Sequence, residues 1–236
     1  MAKKRKLVES KPLEKTYYKA VERWLTGHFS CFKTAINKGL RLGRIDVIGL
    51  RDVGGDLSGD IETIAVEVKR GSTPFANECG QTIGYSVYAN RVYLADVRLK
   101  AFTQEEIFIA SHLGIGLIQI KGRIRTEVLS SPYYDPIAKM QLRLLEALGF
   151  GRCQLCDSVF QIGHPEKGKA YSNLSREKVH QAIKLSRGIM FWNREVADRK
   201  RRLGIRGEGG DETTYERRFI CPDCVSGVIS QLSPIE

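Results

Sequence analysis

No stretch of this 236-residue chain approaches the roughly 20 consecutive apolar residues that a bilayer-spanning helix needs. The opening Met1-Ala2-Lys3-Lys4-Arg5-Lys6 is not followed by a hydrophobic signal segment, so the expected setting is soluble, cytoplasmic and away from membranes. Without a secretory route, disulfide bonds lose the oxidising compartment that maintains them. Internal repeats and long low-complexity tracts are also missing, which sets aside solenoids and fibrous folds. Acid is scarce relative to base: 27 Asp and Glu against 38 Lys and Arg leave a net charge of +11. A polyanion, with nucleic acid foremost, is the partner such a balance suggests, and a solvated basic surface is the alternative.

Six cysteines are present, and four form two CxxC pairs, Cys153/Cys156 and Cys221/Cys224. Two such knuckles are the usual source of a tetrahedral four-thiolate zinc site, each turn supplying two ligands. The span 157–220 between them is longer than a simple zinc ribbon requires, and His164 within it is an alternative ligand. Cys31 and Cys79 stand outside the pairs and read as core residues.

Pro12 opens a helical stretch over 13–26 whose Tyr17, Val21, Trp24 and Leu25 form an apolar stripe with Glu22 at its margin. Residues 44–50 and 62–70 read as strands of a hairpin around the glycine-rich loop 52–60. Asp60 and Glu62 beside that loop read as loop charges. A helix over 77–89, a strand over 91–95, a helix from the Thr103/Glu106 capping box to Gly114 and a strand over 115–120 follow. This order implies an α/β fold with a mixed central sheet flanked by helices. A helix over 136–148 then leads into the first knuckle, so the expected organisation is a basic tail (1–11), a core (12–150) and a small zinc-ribbon-like module with a helical insert (151–236). Within the insert, 175–187 and 188–203 read as helical, and Phe191 and Trp192 as its small core. The stretch 166–206 carries 12 Lys or Arg against four acids. That charge makes it a candidate DNA-gripping element, with Arg199, Lys200, Arg201 and Arg202 as the foremost contacts and a solvated helical face as the alternative.

Within the hairpin, Asp46 lies near the start of one strand and Glu67-Val68-Lys69 inside the next. Side chains alternate across a strand, so Ile64, Val66 and Val68 share one face while Glu67 and Lys69 share the other. Charge on a core strand is costly unless paired or metal-bound, so that face either meets solvent or holds a cation.

Glu22, Asp46, the Glu67-Val68-Lys69 triplet and Gln81, on this order of elements, resemble the PD-(D/E)xK nuclease superfamily over roughly residues 13–121. Ile45 stands where the family's name has proline. The resemblance implies a restriction-endonuclease-like core that hydrolyses phosphodiester bonds with Mg²⁺ or Mn²⁺. Asp46, Glu67 and the Val68 carbonyl would ligate the catalytic ion. Lys69 would orient or help deprotonate the attacking water, Glu22 would add a ligand, and Gln81 with Tyr85 one turn on would line the site. The implied activity is a DNA endonuclease, in restriction or defence first, with structure-specific repair or recombination cleavage as the alternative. A non-catalytic nucleic-acid-binding protein that keeps the fold is a further class, RNA processing another, and cutting both strands of a duplex would favour a homodimer.

Overall fold

A computed structural model describes residues 13–40, 43–54, 60–71, 74–161, 189–192, 217–221 and 223–224. The N-terminal tail, the Arg199–Arg202 cluster, His164 and the expected helix over 175–187 lie outside the described residues. The chain packs as two compact units, 1–51 with 62–138, and 52–61 with 139–236.

The first unit is built on α1 (Lys15–His28), β1 (Lys33–Leu40), β2 (Gly43–Asp52), β3 (Ile61–Lys69), α2 (Phe75–Ile83), a 3₁₀ turn (Gly84–Val87), β4 (Arg91–Val97), α3 (Gln104–Leu113), β5 (Gly116–Lys121) and β6 (Ile124–Leu129). The six strands form one sheet in the order β1-β2-β3-β4-β5-β6. The connection from β2 to β3 is shorter than the dozen or so residues a parallel crossover needs, so these strands turn back on each other, and Val53 N–H donates to the Asp60 carbonyl across the loop. Pairs β3/β4 and β4/β5 are parallel, joined by α2 with its 3₁₀ turn and by α3. Pairs β1/β2 and β5/β6 are antiparallel, so the sheet is mixed. The edge strands β1 and β6 are additions to the elements expected from sequence.

Alternation along β3 sorts the two faces. Ile64, Val66 and Val68 join Val47, Tyr93, Ala95, Ile118 and Ile120 under Val21 and Leu25 of α1. Gly49 permits this close packing, since a Cβ there would fall 2.6 Å from Cys31 Sγ. Cys31 and Cys79 are both buried, as core residues. Thr103 and Glu106 form the reciprocal capping box of α3, and Gly114 closes that helix in the left-handed region at φ 73°. No helix among the described residues is long and apolar enough to cross a membrane.

The second unit contains most of α4 (Ala138–Ala147), the hairpin β7 (Phe150–Arg152) with β8 (Val159–Gln161), and the antiparallel pair β9 (Ile189–Trp192) with β10 (Arg217–Ile220). Residues 189–192 are therefore a strand and not part of the helix expected over 188–203. The run Ile-Met-Phe-Trp is β-branched and aromatic, and pairing with Arg217–Ile220 overrides the helical reading. A second correction concerns Glu62. It lies buried on β3, its carboxylate bridging Arg51 and Arg91, so it is no loop charge.

Candidate functional site

β3 is buried along nearly its whole length, on both faces. The face carrying Glu67 and Lys69 is therefore covered, not open to solvent. Glu67 is 1% exposed, with its Oε1 2.5 Å from Lys69 Nζ and its Oε2 against the Tyr85 hydroxyl. Tyr85 sits in the 3₁₀ turn after α2, where the chain crosses back to β4, and its hydroxyl also lies 2.9 Å from the Arg44 carbonyl at the start of β2. One phenolic hydrogen cannot serve two acceptors. It donates to Glu67 Oε2, and the Arg44 carbonyl is the second acceptor within its reach, so Tyr85 links the β3 carboxylate to the start of β2.

Asp46 joins the same network from β2. Its Oδ1 accepts from the Tyr18 hydroxyl of α1 at 2.5 Å, and its Oδ2 accepts from the Val68 backbone N–H at 2.9 Å. Val68 is the residue between Glu67 and Lys69, so the Asp46 carboxylate is tied to the backbone of the triplet. On β1 the register position across from Asp46 falls to Asn37, held at φ 52° between the paired positions Ile36↔Val47 and Lys38↔Ile45. Asn tolerates that left-handed conformation, which interrupts the ladder where Asp46 would otherwise be matched.

The electrostatics follow from this packing. Burial pushes the Glu67 carboxyl above its ordinary range, hydrogen bonds from Lys69 and Tyr85 oppose the shift, and the Asp46 charge reinforces it. Burial would lower the Lys69 pKa, but the hydrogen bond and charge of Glu67 outweigh it and hold the ammonium protonated. Burial, with Glu67 and Asp46, pushes the Tyr85 hydroxyl far above neutral, and burial with Asp46 does the same to Tyr18, so both phenols keep their protons and can donate.

Asp46, Glu67 and Lys69 thus come together. Gln81, at an exposed position of α2, reaches the Tyr85 hydroxyl and acts on the site through it. Glu22 instead accepts from Thr34 Oγ1 at 3.0 Å, joining α1 to β1, and forms no tight carboxylate group with Asp46 and Glu67. It is Glu14, the residue just before α1, whose charge reaches Lys69 and Tyr18. Tyr18 and Glu14 escape sequence reasoning. Tyr18 lies beside Tyr17 of the apolar stripe, and its position one turn before Glu22 was a signal.

A further buried carboxylate, Asp96, lies near the end of β4 opposite Lys69 in the strand register. Burial and the neighbouring Glu78 push its pKa up to about 6 against the pull of Arg98, which lies 3.5 Å away.

In the second unit, the sulfurs of Cys153, Cys156, Cys221 and Cys224 lie within 4.8 Å of one another. Cys156 and Cys221 Sγ are 3.7 Å apart, against about 3.8 Å for the edge of a tetrahedron with 2.3 Å zinc–sulfur bonds. Backbone N–H groups of Leu155 and Cys221 point at Cys153 Sγ, and that of Cys224 at Cys221 Sγ, which suits thiolate acceptors. The first knuckle turns back at Asp157, φ 60°, and the Ser158 hydroxyl lowers the Cys156 thiol to about 6. Gln154 N–H donates to the Phe219 carbonyl at 2.9 Å, which brings the two knuckles together through the backbone as well. The four-cysteine donor set fits a structural metal such as zinc.

No protein-family model matches the chain, and no curated protein matches it. A solved structure of a protein of unknown function from Silicibacter pomeroyi is similar over 60% of this chain and 86% of its own, with 20% identity and a TM-score of 0.43. No role is carried over from it.

Proposed function

We propose that this chain is a metal-dependent endonuclease hydrolysing DNA phosphodiester bonds, with Asp46, Glu67 and Lys69 at its centre. The observation that carries the reading is Glu67, a carboxylate 1% exposed that has one cationic partner and a second carboxylate on the neighbouring strand. Two acids sharing one ammonium leave a charge deficit that a hard divalent cation would relieve, and oxygen donors suit Mg²⁺ or Mn²⁺. Asp46, Glu67 and the Val68 carbonyl would hold the ion. When bound, such an ion supplies an activated water and neutralises charge on the phosphate.

The chain's own groups do the rest. Tyr85 pairs with Glu67 and Tyr18 with Asp46, so each phenol aims one carboxylate. Lys69, kept protonated by Glu67, serves as a fixed cation beside the scissile phosphate and orients the water, so the base is found elsewhere. The resemblance to the PD-(D/E)xK superfamily supports the same assignment. Restriction or defence cleavage is the role put first, ahead of repair or recombination. In the second unit, one structural Zn²⁺ held by Cys153, Cys156, Cys221 and Cys224 is the matching proposal, which elemental analysis of protein purified without chelator would check.

The deciding experiment incubates purified protein with supercoiled plasmid, a four-way junction, single-stranded DNA and RNA, with and without Mg²⁺. Mg²⁺-dependent DNA cleavage that Asp46→Ala and Lys69→Ala abolish, with DNA affinity retained, is the expected result. Equal cleavage by the variants, or none by the wild type under any cation, defeats the proposal. For the partner, neutralising Arg199, Lys200, Arg201 and Arg202 together should flatten the dependence of log affinity on log salt by about 0.9 for each phosphate that these side chains neutralise.

A further inference from the structure

We infer that two copies of this chain assemble about a two-fold axis through the outer edge of β6, an inference that stands apart from the nuclease reading. β6 ends the six-stranded sheet, so its side away from β5 pairs with no strand among the described residues. An unpaired edge is a template for another strand. The sequence of this one specifies which strand fits.

Ile124-Arg125-Thr126-Glu127-Val128 has the same chemical character read from either end: apolar, charged, threonine, charged, apolar, with the two charges opposite in sign. An antiparallel pairing centred on Thr126 sets Arg125 opposite Glu127 of the second copy, and Glu127 opposite its Arg125. Ile124 meets Val128 twice, and Thr126 meets Thr126. Each of these is a favourable cross-strand pair. A shift of one residue would place Arg125 opposite Thr126 or Val128 and lose the charge match, so the register is specified.

The state of the two charged groups agrees. Arg125 Nε is shielded from water and makes no hydrogen bond, and its Nη1 reaches only the Arg123 carbonyl, with no carboxylate beside it among the described residues. Glu127 is held by His28 Nε2 and the Tyr93 hydroxyl, each at 2.8 Å, and by the Ser130 side chain, which leaves one of about four lone pairs for a further donor. Burial alone would raise the Glu127 pKa, but hydrogen bonds from His28, Tyr93 and Ser130 outweigh it and keep the carboxylate ionised.

The other side of the strand supplies apolar surface. Ile124 is 65% exposed and Val128 38%. Regular pairing with β5 holds from Ile124 to Glu127, and Val128 is the extra residue where the register shifts. Ile124 pairs with Lys121 and Thr126 with Gln119, itself opposite Asp96, which puts them on the Glu67 side of the sheet. There α3 packs against α2 and β5, with Phe108 71% exposed and Ile109 beside it. A short strand pair alone falls below the roughly 800 Å² per partner of a stable interface, and this apolar surface extends it.

The test is sedimentation equilibrium of the full chain, freed of nucleic acid. The wild type should sediment as a two-copy species. Arg125→Glu sets like charges opposite each other twice, and so does Glu127→Arg, so each alone should raise the dimer dissociation constant at least about tenfold. Mixed in equal amounts, the two variants regain opposite charges at both positions, and a heterodimer should form. Glu127 also holds His28 and Tyr93, so Ile124→Lys, at an exposed position, provides a second variant that should weaken the dimer while melting as the wild type does. A wild type that is monomeric at every accessible concentration, Arg125→Glu with wild-type mass, or a mixture that stays monomeric overturns the inference.

Discussion

Strand β3 buries a glutamate near each end and gives the two opposite surroundings. Glu62, 2% exposed, points to the α1 side and lies between two guanidiniums, Arg51 from β2 and Arg91 from β4. Arg91 also donates to the Ser131 carbonyl at 2.6 Å, and Arg51 lies over the Phe29 ring. Glu67 points to the other side and has one ammonium, a phenol and a second carboxylate. Burial is thus the same at both ends, and the balance of partner charge differs. An acid with cations in excess is a clamp across three strands. An acid short of cations is where the proposed ion would add charge, and this balance, rather than burial, separates the two ends of the strand.

Substitutions can break that contrast. Glu67→Gln should lower the initial rate of plasmid cleavage by two orders of magnitude or more, the usual cost of removing a group that stabilises charge at a reaction centre. Its melting temperature should hold or rise, because a neutral amide replaces a carboxyl that burial disfavours as an anion. Retained cleavage would erase the difference between the two ends. Glu62→Ala should do the reverse. Two arginines left without their acid cost about 3 kcal/mol in urea unfolding, while cleavage per folded molecule is unchanged.

Tyr85→Phe, which leaves Glu67 buried without its hydroxyl partner, should reduce the rate about tenfold, the effect of losing an orienting hydrogen bond. Asp96→Asn sharpens the comparison through pH. The folded state holds the Asp96 proton up to about pH 6, beyond where the unfolded chain releases it, so this group's contribution to stability is full at low pH and is lost as pH rises through that window. Relative to the wild type, Asp96→Asn should therefore gain little near pH 4 and on the order of 1–2 kcal/mol at neutral pH, read from urea midpoints across pH.

Local signals survive into the structure where they are self-contained. The Thr103/Glu106 box needs only four residues, and the alternation along β3 and the spacing within each CxxC need few more. What was illegible depends on partners far along the chain. Arg91 stands 29 residues from the Glu62 it neutralises, so Glu62 read as a loop charge. β1 escaped notice because Lys33–Leu40 lacks regular alternation and turns through Asn37 at φ 52°. β9 is a short apolar run, which periodicity cannot assign to helix or strand without its pairing mate. In the candidate site the charged residues and Tyr85 were legible as a pattern, whereas Tyr18 was not, since an aromatic residue beside an apolar stripe looks like packing until its hydroxyl finds a carboxylate.

The parallel bridge between Cys153 and Phe219, next to the sulfur cluster, has a consequence in polymer terms. It closes the intervening chain into a loop whose ends are anchored by backbone and thiols alike. Closure entropy rises only logarithmically with length, by about 0.6 kcal/mol for each doubling. The chain between β8 and β9, or between β9 and β10, can therefore lengthen or shorten with little added closure entropy. Those two spans are therefore where added length costs least while the paired strands and the sulfur cluster keep their ends together.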